Sequence, residues 1–260
     1  MSLNALRAKE RCGARFYFAW AVDFSTVAMY NSINIRWRRA GKAGAGKMEF
    51  TSNYDKQCEE WRQKFLGMNQ EEICAKLPEI QEDESDLTLW HFGRQFAVSK
   101  DTGDIRALSD DGPVDAMAKM NIYTLFWYAK KDAAHMGEWL PYRELKSAAP
   151  FGAAFQRGVL EPIAATFSGK SDLLAEAVKT LRGERLSATG FLLWAFLCIP
   201  VKLNFWDADD EFPAQANLLF DGNSTDFNHV ESIATIATEC MHQLADAAGL
   251  KLKGSPFYRF

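Results

Sequence analysis

The sequence predicts an α+β protein, a single domain with an antiparallel sheet and helices packed against it. Strand-like runs come in groups, 87–108 and 191–220, rather than alternating singly with helices, so a parallel βαβ sheet is not expected. Between and after those groups, apolar residues recur at helical spacing. With 48% hydrophobic and 25% charged residues, 260 residues suit one sizeable core.

The elements follow in order. Asp55–Leu66 reads as a helix with Cys58, Trp61, Phe65 and Leu66 on one face. Asn69-Gln70-Glu71-Glu72 fits a capping box opening a short helix that ends before Pro78. After the acidic stretch Glu79–Asp86, Leu87–Phe92 and Gln95–Val98 form a hairpin across Gly93-Arg94, and a third strand follows near Ile105–Leu108. Val114–Ala134 is a helix carrying the stripe Met117, Asn121, Leu125 and Tyr128. Irregular Met136–Lys146 leads to helices at Phe151–Phe167 and Ser171–Leu181. Phe191–Ile199 and Val201–Trp206 lean to strand and are broken by Pro200; Gln215–Phe220 returns antiparallel to Val201–Trp206, with Asp207–Pro213 as the connection. A capping box at Asn228-His229-Val230-Glu231 opens the last helix, with Ile233, Ile236, Cys240 and Leu244 on its buried face.

Charge divides the chain. Residues 1–47 hold nine Lys/Arg against two acids, and the rest holds 21 bases against 32 acids. The first 47 residues end in the Gly/Ala/Lys stretch 40–47 and read as a basic extension, disordered or non-native: a targeting-like arm, or sequence translated from a misplaced start codon. The domain is then 48–260, and a chain starting at Met48 is expected to melt where the full chain does. Its acidic balance argues against a nucleic-acid partner, because phosphate contacts need surplus Lys/Arg on one face. Phe16–Ile35 is interrupted by Asp23, Asn31 and Asn34, so no membrane span is expected. Five scattered cysteines without a CxxC pair argue against zinc, iron–sulfur or dithiol chemistry and fit the cytoplasm.

Candidate chemistry gathers in two places. Four carboxylates, Asp207, Asp209, Asp210 and Glu211, fall within five positions and repel one another, so they face water, a cation or a basic partner. An EF-hand alignment fails at Phe212, Pro213 and Leu218, while a looser hard-cation cage from Asp209, Asp210 and Asp221 stays open, beside the plain reading of a solvated turn. Gly137–Lys146 places Glu138, Trp139, Tyr142, Arg143 and Lys146 in one loop, a mixture that suits a pocket for a planar or anionic ligand, or that simply covers the core. Arg143 is expected to reach one of Asp207, Asp209, Asp210, Glu211 or Asp221 and tie the two places together. His229, at the start of the last helix after Asp221 and Asp226, is a candidate carboxylate partner. His91 reads as a half-buried strand residue. Gly41–Met48 is one residue short of a phosphate-binding loop, because Met48 stands where Ser or Thr is needed.

Trp206-Asp207-Ala208-Asp209-Asp210-Glu211-Phe212-Pro213 with Leu218-Leu219-Phe220-Asp221 resembles the "D-x-E-F-P … L-F-D" hallmark of a domain-of-unknown-function family of anaerobic bacteria and archaea. Gly137-Glu138-Trp139 and Arg143 resemble its "G-E-W … F-R-E-L" segment, with Tyr142 where Phe is frequent, and the likeness runs from about Tyr54 to Leu244. Some members carry a cysteine-rich iron–sulfur module, which implies a link to anaerobic redox or corrinoid metabolism; this chain lacks that module. Three functions follow as expectations. The first is a small-ligand or cofactor-binding domain of unidentified cofactor, its pocket between Glu138–Lys146 and Asp207–Asp221. The second is a metal-dependent enzyme using Asp209, Asp210, Glu211 and Asp221, with His229 as base. The third is an acidic module that docks on a protein partner.

Overall fold

The computed structural model describes residues 53–254. The readings of residues 1–47 as an extension, of a boundary at Met48, of Phe16–Ile35 and of Gly41–Met48 lie outside the described residues.

The first predicted helix is α1, Asn53–Leu66, with Trp61 and Phe65 buried and Leu66 left at the surface. Asn69 caps α2, Gln70–Lys76, by accepting the Glu72 N–H at 3.2 Å, as the capping box predicts. Four short antiparallel strands follow: β1 Gln81–Glu82, β2 Asp86–His91, β3 Arg94–Ser99 and β4 Ile105–Ala107, in that spatial order. The β2–β3 turn is Phe92-Gly93, one residue earlier than predicted, because Arg94 pairs with His91. Both turn residues have positive φ (45° and 76°), as a two-residue hairpin with the matching twist requires. Only glycine fits at 93: a Cβ there would sit 2.6 Å from the Leu181 carbonyl oxygen. Phe92 is held in its unfavourable backbone region by a buried ring and by its N–H, which donates to Trp194 O at 3.0 Å.

Helix α3, Ala116–Tyr128, is shorter than its predicted span and starts where Asp115 accepts the Ala118 N–H at 2.8 Å. Asn121 to Phe126 are all buried, so α3 is a central helix packed between α1 and the last helix rather than an amphipathic one. Strand β5 is Trp139–Pro141, followed by the 3-10 turns Tyr142–Glu144 and Ala149–Phe151. The predicted helix 151–167 is three pieces in one ribbon: α4 Gly152–Phe155, a π turn Gln156–Leu160, and α5 Glu161–Phe167. Pro162 explains the widening. It has no N–H for the carbonyl four residues back, and its ring crowds that carbonyl; the preceding turn therefore opens to a five-residue spacing, with Glu161 N–H donating to Gln156 O.

After α6, Ser171–Thr180, the chain builds most of a second antiparallel sheet: β6 Glu184–Arg185, β7 Gly190–Phe196, β8 Ile199–Trp206 and β9 Gln215–Asp221. The strand order is β5-β9-β8-β7-β6, so the one sheet expected from the sequence is two among the described residues. The predicted hairpin is present in register, Val201 opposite Phe220 and Trp206 opposite Gln215. Pro200 does not end a strand. The β7–β8 turn falls at Leu197-Cys198, and Pro200 sits inside β8 at a register shift, where a missing donor is tolerated.

A short helix, α7 Ser224–Phe227, precedes α8, Val230–Ala247. The cap of α8 is His229, not Asn228; Asn228 is fully buried, its Oδ1 accepting the His229 N–H (2.8 Å) and its Nδ2 donating to Thr124 Oγ1 (3.2 Å). Helix α8 lies against α3 and α6, while α5 and the π turn lie against β9. Among the described residues, no helix is long and apolar enough to cross a membrane.

Candidate functional site

A cavity of about 500 Å³ lies where the segment after β5, the π turn and the start of β9 meet. Its buried lining is Tyr142, Phe155, Leu160 and Ala164. Tyr142 stacks on Phe155 with ring centroids 4.2 Å apart and planes at 10°, and its hydroxyl donates to Val230 O at 3.2 Å, so neither ring is free to fill the space. Burial pushes the Tyr142 hydroxyl well above the usual phenol range, so it remains a neutral donor. Arg143, Gln156 and Glu161 contribute polar groups from the turns and helices, and Trp206, Gln215 and Asn217 from the hairpin. Small residues keep the space open: Gly152, Ala164, Ala214 and Ala216 all line it, and a Cβ on Gly152 would come within 3.0 Å of Arg143 Cβ.

Of the residues singled out in the sequence, Tyr142 and Arg143 line this cavity. Arg143 does not make the expected pair with the acidic hairpin. Its side chain is 73% exposed, and among the described residues its ion pair is with its own neighbour Glu144, at 3.6 Å. The reason is local: Tyr142–Glu144 is a 3-10 turn that buries Tyr142 and leaves the next residue outward. The tie between the two motif segments is instead Asp221. This buried carboxylate accepts the N–H groups of Met136 (2.8 Å), Gly137 (2.7 Å) and Asn223 (2.9 Å), and β5 pairs beside it with Trp139 opposite Asp221. Burial alone would raise the Asp221 pKa, but the three amide donors outweigh it and hold the carboxyl below its usual range, with His135 assisting. Gly137 supplies the positive φ (80°) with which this loop turns its amide onto the carboxylate.

The other acids serve their own loop. Asp207 accepts the Gly169 N–H (2.6 Å), the Ser171 hydroxyl (2.7 Å) and the Ala208 N–H (2.8 Å), fastening the end of β8 to the start of α6. Asp209 accepts the Phe212 N–H (2.7 Å) and the Glu211 N–H (2.9 Å), and these amides hold its carboxyl below its usual range. Asp210 and Glu211 are exposed. Asp221 stands six residues along β9 from Gln215, roughly 20 Å at strand rise, so it cannot share a cation with the loop acids. Among the described residues, no three His, Cys, Asp or Glu side chains are placed to hold a metal ion. Glu138 is exposed, and its carbonyl accepts the Gly222 N–H at 2.9 Å. Trp139 is partly exposed at the sheet edge, with Lys202 Nζ 6.0 Å from its ring centre. His229 does not meet Asp221 or Asp226; it accepts the Glu231 N–H at 3.4 Å and lies against Tyr128, while Asp226 pairs with Lys130.

A buried polar hub was not legible in the sequence. Glu239 on α8 is fully buried; its Oε2 meets His91 Nε2 at 2.8 Å and accepts Asn121 Nδ2–H at 2.7 Å. His91 Nδ1 donates to the Ala195 carbonyl at 2.5 Å. That carbonyl only accepts, and one proton lies between Nε2 and the carboxyl, so the pair is neutral as a unit, in keeping with its burial. With the adjacent Phe92–Trp194 bond, it locks the first sheet onto β7. Two hints were present: Asn121, a polar residue inside a predicted apolar stripe, and His91, read as half-buried in its strand but in fact fully buried.

The fold and site define an α+β protein of two antiparallel sheets, with a polar-rimmed, aromatic-floored cavity beside the second. Residues 69–243 match the family described as Domain of unknown function (DUF3786), and the chain belongs to that family. No curated protein and no solved structure matches the chain.

Proposed function

We propose that this chain is a small-ligand-binding domain whose site is the cavity between Pro141–Arg143, the π turn and Ala214–Asn217. The observation that carries the reading is that residues of both sequence motifs meet in one concavity of about 500 Å³, a size that suits a small organic molecule. Its composition supports the same reading: an aromatic floor for apolar or planar contact, and Arg143, Gln156, Glu161 and Asn217 as groups that fix orientation. A π turn in the wall is a further support, since such turns recur at functional sites. Among the described residues, the lining includes no cysteine or histidine and a single carboxylate, so the ligand is read as organic rather than metal-bound.

The test is a fragment screen by thermal shift and amide NMR on the chain and on Ala214→Trp, which fills the cavity. Fragments that shift Tyr142, Gln156 and Asn217 resonances, and lose those shifts in the variant, are the expected result. Shifts that survive in Ala214→Trp place binding elsewhere and refute the reading. A second reading, docking of a basic protein partner, is favoured by one observation: Phe212 is 61% exposed at the tip of the acidic loop, beside Asp210 and Glu211. Binding of that kind is weakened by salt and lost in Phe212→Ala.

A further inference from the structure

Strand β5 stops at Pro141, opposite Leu219, while β9 runs on to Gln215 beside β8. Among the described residues, 215–218 of β9 therefore have a strand on one side only. Phe205 N–H donates to Thr189 O, so the polar backbone groups of Phe205 point toward β7. These groups alternate sides along a strand, so those of Asn204 and Trp206 point toward β9 and bond with Asn217 and Gln215. Ala216, between the latter two, turns its N–H and C=O the other way, onto the side where it lines the cavity. The chain that leaves β5 coils into the 3-10 turn Tyr142–Glu144 instead of covering that edge. The cavity is the seat that a longer β5 would fill.

We infer that the cavity takes an extended peptide segment, which adds to β9 as a short strand and exchanges two main-chain hydrogen bonds with Ala216. This deepens the ligand-binding reading and rests on it. Open strand edges capture peptides in this way: main-chain bonds supply affinity, and pockets for alternate side chains supply selectivity. The faces assign the side chains. A ligand residue opposite Ala216 points to the same face as Ala216, Phe205 and Leu218, which is the core side, toward Phe155 and Leu160; an apolar side chain fits there. Its neighbours point to the other face, that of Trp206, Gln215 and Asn217. Three ligand residues, about 10 Å of strand, match the open length.

The probes are capped tripeptides, acetyl-Ala-X-Ala-amide with X as Leu, Phe or Val, and the same peptides N-methylated at X, titrated into the ¹⁵N-labelled full chain. At least one is expected to shift the amides of Gln215–Asn217 and to protect the Ala216 amide from exchange, with N-methylation weakening binding at least tenfold. Ala216→Pro removes the outward donor while leaving the ladder to β8 intact, since proline is tolerated on a strand edge, and should weaken binding by a similar factor. If that variant fails to fold, the N-methylated peptides decide alone. No binding by the tripeptides, equal binding after N-methylation, or shifts away from the cavity would overturn the peptide assignment. Indole, benzamide and nicotinamide serve as non-peptide probes: if they shift cavity residues and Ala214→Trp abolishes it, the ligand-binding reading stands and only the peptide class falls. If neither set touches the cavity, both fall.

Discussion

Two acidic regions of this protein behave in opposite ways. The loop from Asp207 to Glu211 concentrates four carboxylates, yet Asp209 folds back on its own backbone and Asp210 and Glu211 face water. The hub has one carboxylate, Glu239, with no exposed surface and partners on β2, α3 and α8. Charge density along the chain is therefore a poor guide to consequence. A carboxylate in water interacts weakly with its neighbours, whereas one in the core obliges every surrounding group to match it. Asp221 lies between these extremes: buried, but satisfied by backbone amides alone.

The comparison breaks first at the hub. His91→Ala or Glu239→Ala strands a buried polar partner and should lower unfolding free energy by about 3–5 kcal/mol, read from denaturant midpoints. The double variant His91→Leu/Glu239→Leu should lose much less than the sum of the two. A double variant as unstable as the summed singles would mean that the two side chains act independently.

Asp221→Ala comes next, at about 2–3 kcal/mol, with faster hydrogen exchange at the Met136 and Gly137 amides. Because the folded-state pKa of Asp221 is lowered, its contribution is complete above the usual carboxylate value of about 4 and disappears as pH falls through the lowered one. Asp221→Asn should flatten that part of the acid limb of the stability curve; an unchanged limb would assign it to other acids.

Asp207→Ala should cost about 1 kcal/mol, because its oxygens hold Gly169 and Ser171 at a half-exposed position. Burial disfavours its charge and the Gly169, Ser171 and Ala208 donors outweigh that, so this contribution too is lost on acidification. The smallest effect belongs to the residues most prominent in the sequence. Asp210→Asn, Glu211→Gln and Arg143→Ala should leave the melting temperature unchanged within error, and a clear shift in any of them would reveal a contact formed in solution by groups that point outward here.

What the sequence determined by itself was local. Asn69 announced α2, and the β8–β9 hairpin was marked by two strand-like runs, 201–206 and 215–220, with the acidic, proline-ended loop between them. Gly93 marked its turn to within one position because few residues accept positive φ. These signals are short-ranged: caps, turns and periodicity act over a few residues, so they are written in a few residues. Tertiary structure decided the rest. Pro162 was visible and widens its own turn, but that this turn would form a cavity wall depended on β9 lying opposite. Arg143 and the acidic hairpin looked like partners, yet a one-turn 3-10 segment sends the guanidinium to solvent and leaves the joining to Asp221. His91 and Glu239 are 148 residues apart, and their meeting was fixed by how α8 packs against α3 and α6 and so brings Glu239 to β2. Burial turns an ordinary histidine and glutamate into an obligatory pair, and burial belongs to the packed molecule rather than to any stretch of its chain.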